Sequence, residues 1–222
     1  MIDSDVNPAT VNAVCRQCHI SGRQSRWPDQ SSLFMSLESF EMDSGACLSE
    51  IKCTHCHNPH ERGPDAGGPD RQEHLAACVA CHEKLQSKEA ASAHSNHTAG
   101  QASCLDCHMP RVVQGADAYN RSHRISSPTD PKILNTGMPN ACNLCHLDES
   151  LAWTQESLES GWGGQLKLPT QLEHLYGKDF ARPVGEAWLG HPNGMVRMVA
   201  AAAYARSSSG KEELPQLNRL PE

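Results

Sequence analysis

Ten of the eleven cysteines in this 222-residue chain fall into five copies of one five-residue string. The copies are Cys15-Arg-Gln-Cys18-His19, Cys53-Thr-His-Cys56-His57, Cys78-Val-Ala-Cys81-His82, Cys104-Leu-Asp-Cys107-His108 and Cys142-Asn-Leu-Cys145-His146. C-x-x-C-H is the attachment signature of c-type haem, and the chemistry demands that spacing. Two thiols must add to two vinyl groups on one side of a porphyrin, and the adjacent imidazole must reach the iron. The competing readings fail on the histidine. Zinc sites use C-x-x-C pairs without needing His after the second Cys. A disulfide framework leaves the same His unexplained, and a thioredoxin-like redox pair needs a βαβ context that is not visible here. The expectation is five covalent haem c groups per chain. The attachment thiols are Cys15, Cys18, Cys53, Cys56, Cys78, Cys81, Cys104, Cys107, Cys142 and Cys145, and the proximal ligands are His19, His57, His82, His108 and His146.

Composition explains why such a chain needs its cofactors. Only 38% of residues are hydrophobic and 5% aromatic, a thin supply of core. All five strings lie within residues 15–146, so the macrocycles are expected to touch and to form much of the interior themselves. Their starts at 15, 53, 78, 104 and 142 follow no fixed period, which excludes a simple tandem array. The longest apolar run, Met198 to Ala205, is too short to span a membrane. A net charge of −7 with no basic stripe excludes a nucleic-acid binder. The first residues, MIDSDVNPAT, show no basic or apolar leader region, so an export signal is expected to have been removed or left out. Cys47, the leftover cysteine, is expected to be a small buried hydrophobe.

The expected fold class is mostly α with extensive loops, wrapped around a packed haem chain. Residues 1–150 form a pentahaem domain, and residues 151–222 a haem-free helical tail. Ala, Glu, Lys and Leu predict one helix from His74 to Ala91 through the third string. Gly63 to Asp70 reads as a loop, and the valines at 112 and 113 are too short a strand signal to weigh. In the tail, a helix is predicted over Asp148 to Ser160, with acids in its first turn and Gly161 after its end. Another is predicted over Asn193 to Arg206, capped by Asn193, with Met195, Met198, Val199, Ala202 and Ala203 as its apolar face. The string HPNGMVRMVAAAAYA resembles the second helix of a HEAT-type repeat.

Eight histidines remain beyond the proximal five: His55, His60, His74, His94, His97, His123, His174 and His191. His is the usual second axial ligand of low-potential electron-transfer haems. His60 lies three residues after His57, so it cannot reach the opposite face of the same iron but can reach a neighbouring one. His94 and His97 precede the fourth string, His123 lies between the fourth and fifth, and His74 stands four residues before Cys78. His60, His74, His94, His97 and His123 are therefore the distal candidates, matching five haems. His55 is pinned inside its own string, and the tail histidines His174 and His191 are expected to serve no haem.

CTHCHNPH at 53–60, CLDCHMPR at 104–111 and SHRISSP at 122–128 resemble the multihaem cytochrome c superfamily, the group of cytochrome c nitrite reductase and its pentahaem electron-donor partner. GMPNACNLCH at 137–146 is similar to the last motif of members with helical-repeat extensions. The resemblance implies a helical, loop-rich chain loaded with haem outside the cytoplasm, hence a periplasmic or extracellular protein, with His60 and His123 as distal ligands. One departure matters: the nitrite reductases carry C-x-x-C-K at the catalytic haem, whereas all five strings here end in His. The leading expectation is electron transfer through five bis-His low-spin haems rather than catalysis. Its partners would be other cytochromes or further copies in an oligomer or filament. The alternative is a multihaem reductase or oxidase of small nitrogen or sulfur compounds with one open iron. The haem of His19 is the first candidate for that role, with Arg16, Arg23 and Arg26 near it to hold an anion.

Overall fold

Short helices joined by loops dominate the computed structural model, which describes residues 6–19, 26–45, 47, 49–59, 72–116 and 118–207. Helix α1 (Pro8–Arg16) starts where the Asn7 side chain accepts the Thr10 N–H, with proline in the first turn where its missing donor costs nothing. The short α2 (Glu38–Asp43) follows. Helices α3 (Gln72–Cys81) and α4 (Lys88–Ser95) lead to α5 (Cys104–His108), a single turn capped by Ser103 and Asp106. A two-stranded antiparallel ribbon, β1 (Val113–Gln114) with β2 (Tyr119–Asn120), pairs Val113 with Asn120. The chain continues through α6 (Pro131–Leu134), α7 (Leu151–Trp162), α8 (Glu173–Tyr176), α9 (Val184–Leu189) and α10 (Gly194–Arg206). The mostly helical, loop-rich class read from the sequence is the one observed, and no helix among the described residues is long and apolar enough to cross a membrane.

Three helix expectations need correction. The single helix over 74–91 is two: α3 ends at Cys81, because His82 leaves helical geometry at φ −95° and ψ 55°. The chain restarts at α4 under a Ser87 cap that accepts the Ala90 N–H. Helix α7 begins three residues later than Asp148, because Ser150 accepts the Trp153 N–H. It runs on through Gly161 to the left-handed Gly163 at φ 68°. In α10, Asn193 caps as expected, but the buried face is Val196, Val199, Ala200, Ala203 and Tyr204. Met198 stays 45% exposed, so the helix is rotated by one residue from the face that the methionines suggested. The loop read at 63–70 lies outside the described residues.

Buried apolar side chains are sparse around the first three strings. They concentrate in one cluster that joins Trp27, Leu33, Val112 and Val113 to Leu144, Leu147 and the helices α7 to α10. Gly185 makes the approach of α9 to α10 possible: a side chain there would collide with the Tyr204 hydroxyl and the Leu147 carbonyl. At the centre lie Trp188 and Tyr176, both with no exposed surface. The Trp188 indole N–H donates to the Tyr176 hydroxyl at 2.9 Å, and that hydroxyl donates to the Gly137 carbonyl. This relay ties the tail to the loop before the fifth string. Burial pushes the Tyr176 phenol up to about 12, so it remains a donor throughout the working pH range. Tyr176→Phe strands the indole N–H and the carbonyl together. The expected loss is about 1–3 kcal/mol of stability, read from the shift in a chemical denaturation midpoint.

Candidate haem-binding site

Each five-residue string folds into one helical turn. The histidine N–H donates to the carbonyl of the first cysteine in His19 (2.9 Å), His57 (2.9 Å), His82 (3.0 Å) and His146 (3.0 Å), and the fourth string is α5 itself. Residues i, i+3 and i+4 share one face of such a turn. The backbone thus presents two thiols and an imidazole side by side, which is the arrangement a porphyrin edge and its iron require. All eleven cysteines carry free thiols.

Buried string thiols also feel the charge of thiols in other strings. Burial and the adjoining Cys15 thiol push Cys53 up to about 12. Burial, with Cys104, Cys56 and Cys47 nearby, pushes Cys78 up to about 11. Cys107 rises to about 11 through burial, Asp106 and the thiols of Cys145 and Cys104. Cys142 rises to about 12 through burial beside Cys107.

The imidazoles stand in pairs. Ring centroids are 6.2 Å apart for His94 and His108, 6.1 Å for His97 and His146, 6.1 Å for His57 and His123, and 5.8 Å for His57 and His74. Two imidazoles on opposite faces of one iron, each bonded at about 2 Å, hold their ring centres roughly 6 Å apart. The spacing of the four pairs is thus the one that two axial ligands of one iron would have. Among the described residues no three His, Cys, Asp or Glu side chains converge as a protein-only metal cage would need. The paired imidazoles beside the attachment turns would fit a flat cofactor held from two sides.

Nitrogen bookkeeping agrees. A ligating His usually donates its second ring N–H to a carbonyl or carboxylate, leaving the first nitrogen for the metal. The Nδ1 of His108 meets the Ser126 carbonyl at 2.8 Å, and that of His97 meets the Ser95 carbonyl at 2.7 Å. His19 turns Nδ1 to the Glu38 carboxylate at 3.1 Å. The buried Nε2 of His74 has no protein partner. Burial pushes His123 down to about 4 and lowers His57 as well, which keeps both rings neutral, the form that binds metal.

The remaining candidates fall out differently. His60 lies outside the described residues, as does Arg23. Among the described residues no imidazole stands at this spacing from His19 or His82. His55 is exposed and accepts the Lys52 N–H, as expected of a residue pinned in its own turn. Tail residues His174 and His191 bond locally, His174 to the Gln171 carbonyl and His191 to the Asn193 N–H. Arg16 pairs with Asp43, and Arg26 lies 3.5 Å over the Phe40 ring, so both guanidinium groups already have partners.

Sequence reasoning missed the residues that hold these imidazoles in place. Trp153 of α7 packs 4.9 Å from the His146 ring, and the Trp162 indole N–H donates to the His94 carbonyl at 2.6 Å. Glu41 is 1% exposed and accepts the Ser32 N–H, the Ser122 hydroxyl at 3.0 Å and the His123 N–H. Burial raises the Glu41 carboxyl above its usual range even against these three donors. Only the extra tryptophans of the tail were a visible signal in the sequence, and nothing there pointed to their partners.

Five motif turns and paired imidazoles on a helical, loop-rich chain are features that a multihaem c-type cytochrome would have. The family model of cytochrome c552 matches residues 89–161, a stretch that carries His94, His97 and the fourth and fifth strings. This similarity supports haem c as cofactor and haem-based electron transfer or nitrite reduction as chemistry. No curated relative and no solved structure matches the chain.

Glu41 offers a direct test of how the His123 segment is held. Glu41→Gln replaces one acceptor oxygen by a donor facing buried donors. It is expected to cost about 2 kcal/mol or more of stability, measured by denaturant titration.

Proposed function

We propose that the chain is a pentahaem electron-transfer cytochrome in which every iron has two histidine ligands. The observation that carries this reading is the set of imidazole pairs at axial-ligand spacing. His94 completes the haem of His108, and His97 that of His146. His74 and His123 both stand at ligand spacing from His57. One of them completes its iron, and the other, with His60, serves the haems of His19 and His82. The ten string cysteines attach the five macrocycles. When bound, the haems carry electrons by hopping between adjacent macrocycles. The protein contributes axial ligands, burial and spacing, its levers on potential.

Residues 1–150 bear the haems in this reading, and residues 151–222 are a haem-free extension in which α9 and α10 pack together. Covalent haem loading places the mature protein in the periplasm or outside the cell. Roughly ten propionates would add to the net charge of −7, so the favoured partners are redox proteins with basic docking faces, other cytochromes or copies in an oligomer among them.

Three measurements test the reading together. The pyridine haemochrome of denatured protein is expected to give five haems c per chain, and four or fewer in matured protein would break it. His94→Ala and His97→Ala should each keep all five haems, because attachment needs only the cysteines and proximal histidines. Each should convert one low-spin haem to a high-spin form that binds carbon monoxide when reduced, and the double variant should convert two. Carbon monoxide binding at one haem of the unmodified protein would instead favour a reductase or oxidase with one open iron.

A further inference from the structure

Glu38 is bound in a way that packing alone does not explain. It is the first residue of α2, and its two carboxylate oxygens have separate partners. Oε1 accepts the Ser36 N–H at 2.9 Å, and Oε2 meets the Nδ1 of His19 at 3.1 Å. Ser36 reaches this position in the left-handed region at φ 79°, a conformation a non-glycine residue adopts only when its surroundings hold it there. The carboxylate side chain is 24% exposed, against 58% for the imidazole it faces. The acceptor is thus the better anchored partner, and the ring is oriented by it.

This contact sets His19 apart. At His108 and His97 the acceptor for Nδ1 is a neutral backbone carbonyl, from Ser126 and Ser95. At His19 it is a carboxylate. A negatively charged acceptor draws the Nδ1 proton further from the ring and leaves more electron density on Nε2. A more basic imidazole favours ferric over ferrous iron, and hydrogen bonding to the ligand is one of the levers by which a protein sets a haem potential.

We propose that Glu38 is a positioning residue for the haem at Cys15 and Cys18: it holds His19 in the tautomer that turns Nε2 to the iron, and it lowers the potential of that haem below what a carbonyl acceptor would set. The proposal rests on the haem reading of the first string, and it goes beyond that reading by making the haems unequal. The haem at the start of the chain becomes a low-potential terminus from which electrons run downhill to its neighbours.

The test is spectroelectrochemical titration of the full-length haem-loaded protein and of its Glu38→Gln and Glu38→Ala variants, with low-temperature EPR of the oxidised forms. Glu38→Gln keeps the size and removes the charge; Glu38→Ala removes both. The expected result is five haems in all three proteins, with one redox step moved upward most in both variants, a smaller upward shift at the haem of His57, whose ring and that of His123 also feel the Glu38 charge, and the others unmoved. One low-spin EPR signal should shift with it, and Glu38→Asp should recover part of the change. A purely structural role would alter stability without moving a single potential. An unmoved redox profile in five-haem variants overturns the proposal, as does an equal upward shift of all five steps, which would mark Glu38 as a general field charge. Lack of a haem at Cys15 and Cys18 in the unmodified protein overturns the pentahaem reading and this proposal with it.

Discussion

The bond from each string histidine's N–H to the carbonyl of the first cysteine is the constraint on which the rest of the molecule depends. It closes one helical turn, and a closed turn brings positions i, i+3 and i+4 to a common face. Without it, the two thiols and the imidazole would point in unrelated directions, and a rigid macrocycle could not engage all three. The chain makes this turn in five different settings: after α1, in an isolated turn at Cys53, at the end of α3, as α5, and in the loop before α7. A local bond that needs no tertiary support can be repeated wherever the string occurs. A segment that turns its best face to a cofactor has little apolar surface left to bury against protein. The buried side chains accordingly gather around the tail helices and the ribbon.

The second axial position demands more, because its ligand must come from elsewhere in the chain. His94 and His97 show how this is met. Three residues apart in a continuous helix they would share a face and crowd one site. Helix α4 instead ends at Asn96, which takes the left-handed conformation at φ 54° between them. The backbone turns there, and one ring faces His108 while the other faces His146. Helix α7 supports both ends of this arrangement, with Trp162 on the His94 carbonyl and Trp153 against His146. The tail therefore acts as a brace on the last two strings as well as a core of its own.

Much of the site was legible in the sequence because covalent chemistry tolerates almost no variation in spacing. Two vinyl groups and one iron dictate C-x-x-C-H, and a motif repeated five times needs no fold to be recognised. The spare histidines stood out as a set, and four of them, His74, His94, His97 and His123, stand in pairs with string histidines. Their pairing was not legible. Nothing in the spacing of His57, His74 and His123 says that His74 and His123 each come to His57, because stretches of unlike length separate them in the chain. Glu38 and Glu41 were invisible as well: an acidic residue on a short helix reads as solvated surface until its buried partners are known.

The helices divide along the same line. Asn193 as a cap and α10 as a helix follow from local hydrogen bonding, which a few neighbouring residues decide. Which face of α10 is buried does not follow, because Met198 and Val196 are both apolar and only the packing of α9 around Gly185 selects between them. The break at His82 is of the same kind: its neighbours favour helix, yet the chain leaves helical geometry there at φ −95° and ψ 55°. What the sequence determined by itself is what is local in geometry, namely the five C-x-x-C-H turns and the helix caps. What only the tertiary structure decided is which distant ring faces which, because that depends on the path of loops whose residues carry no periodic signal.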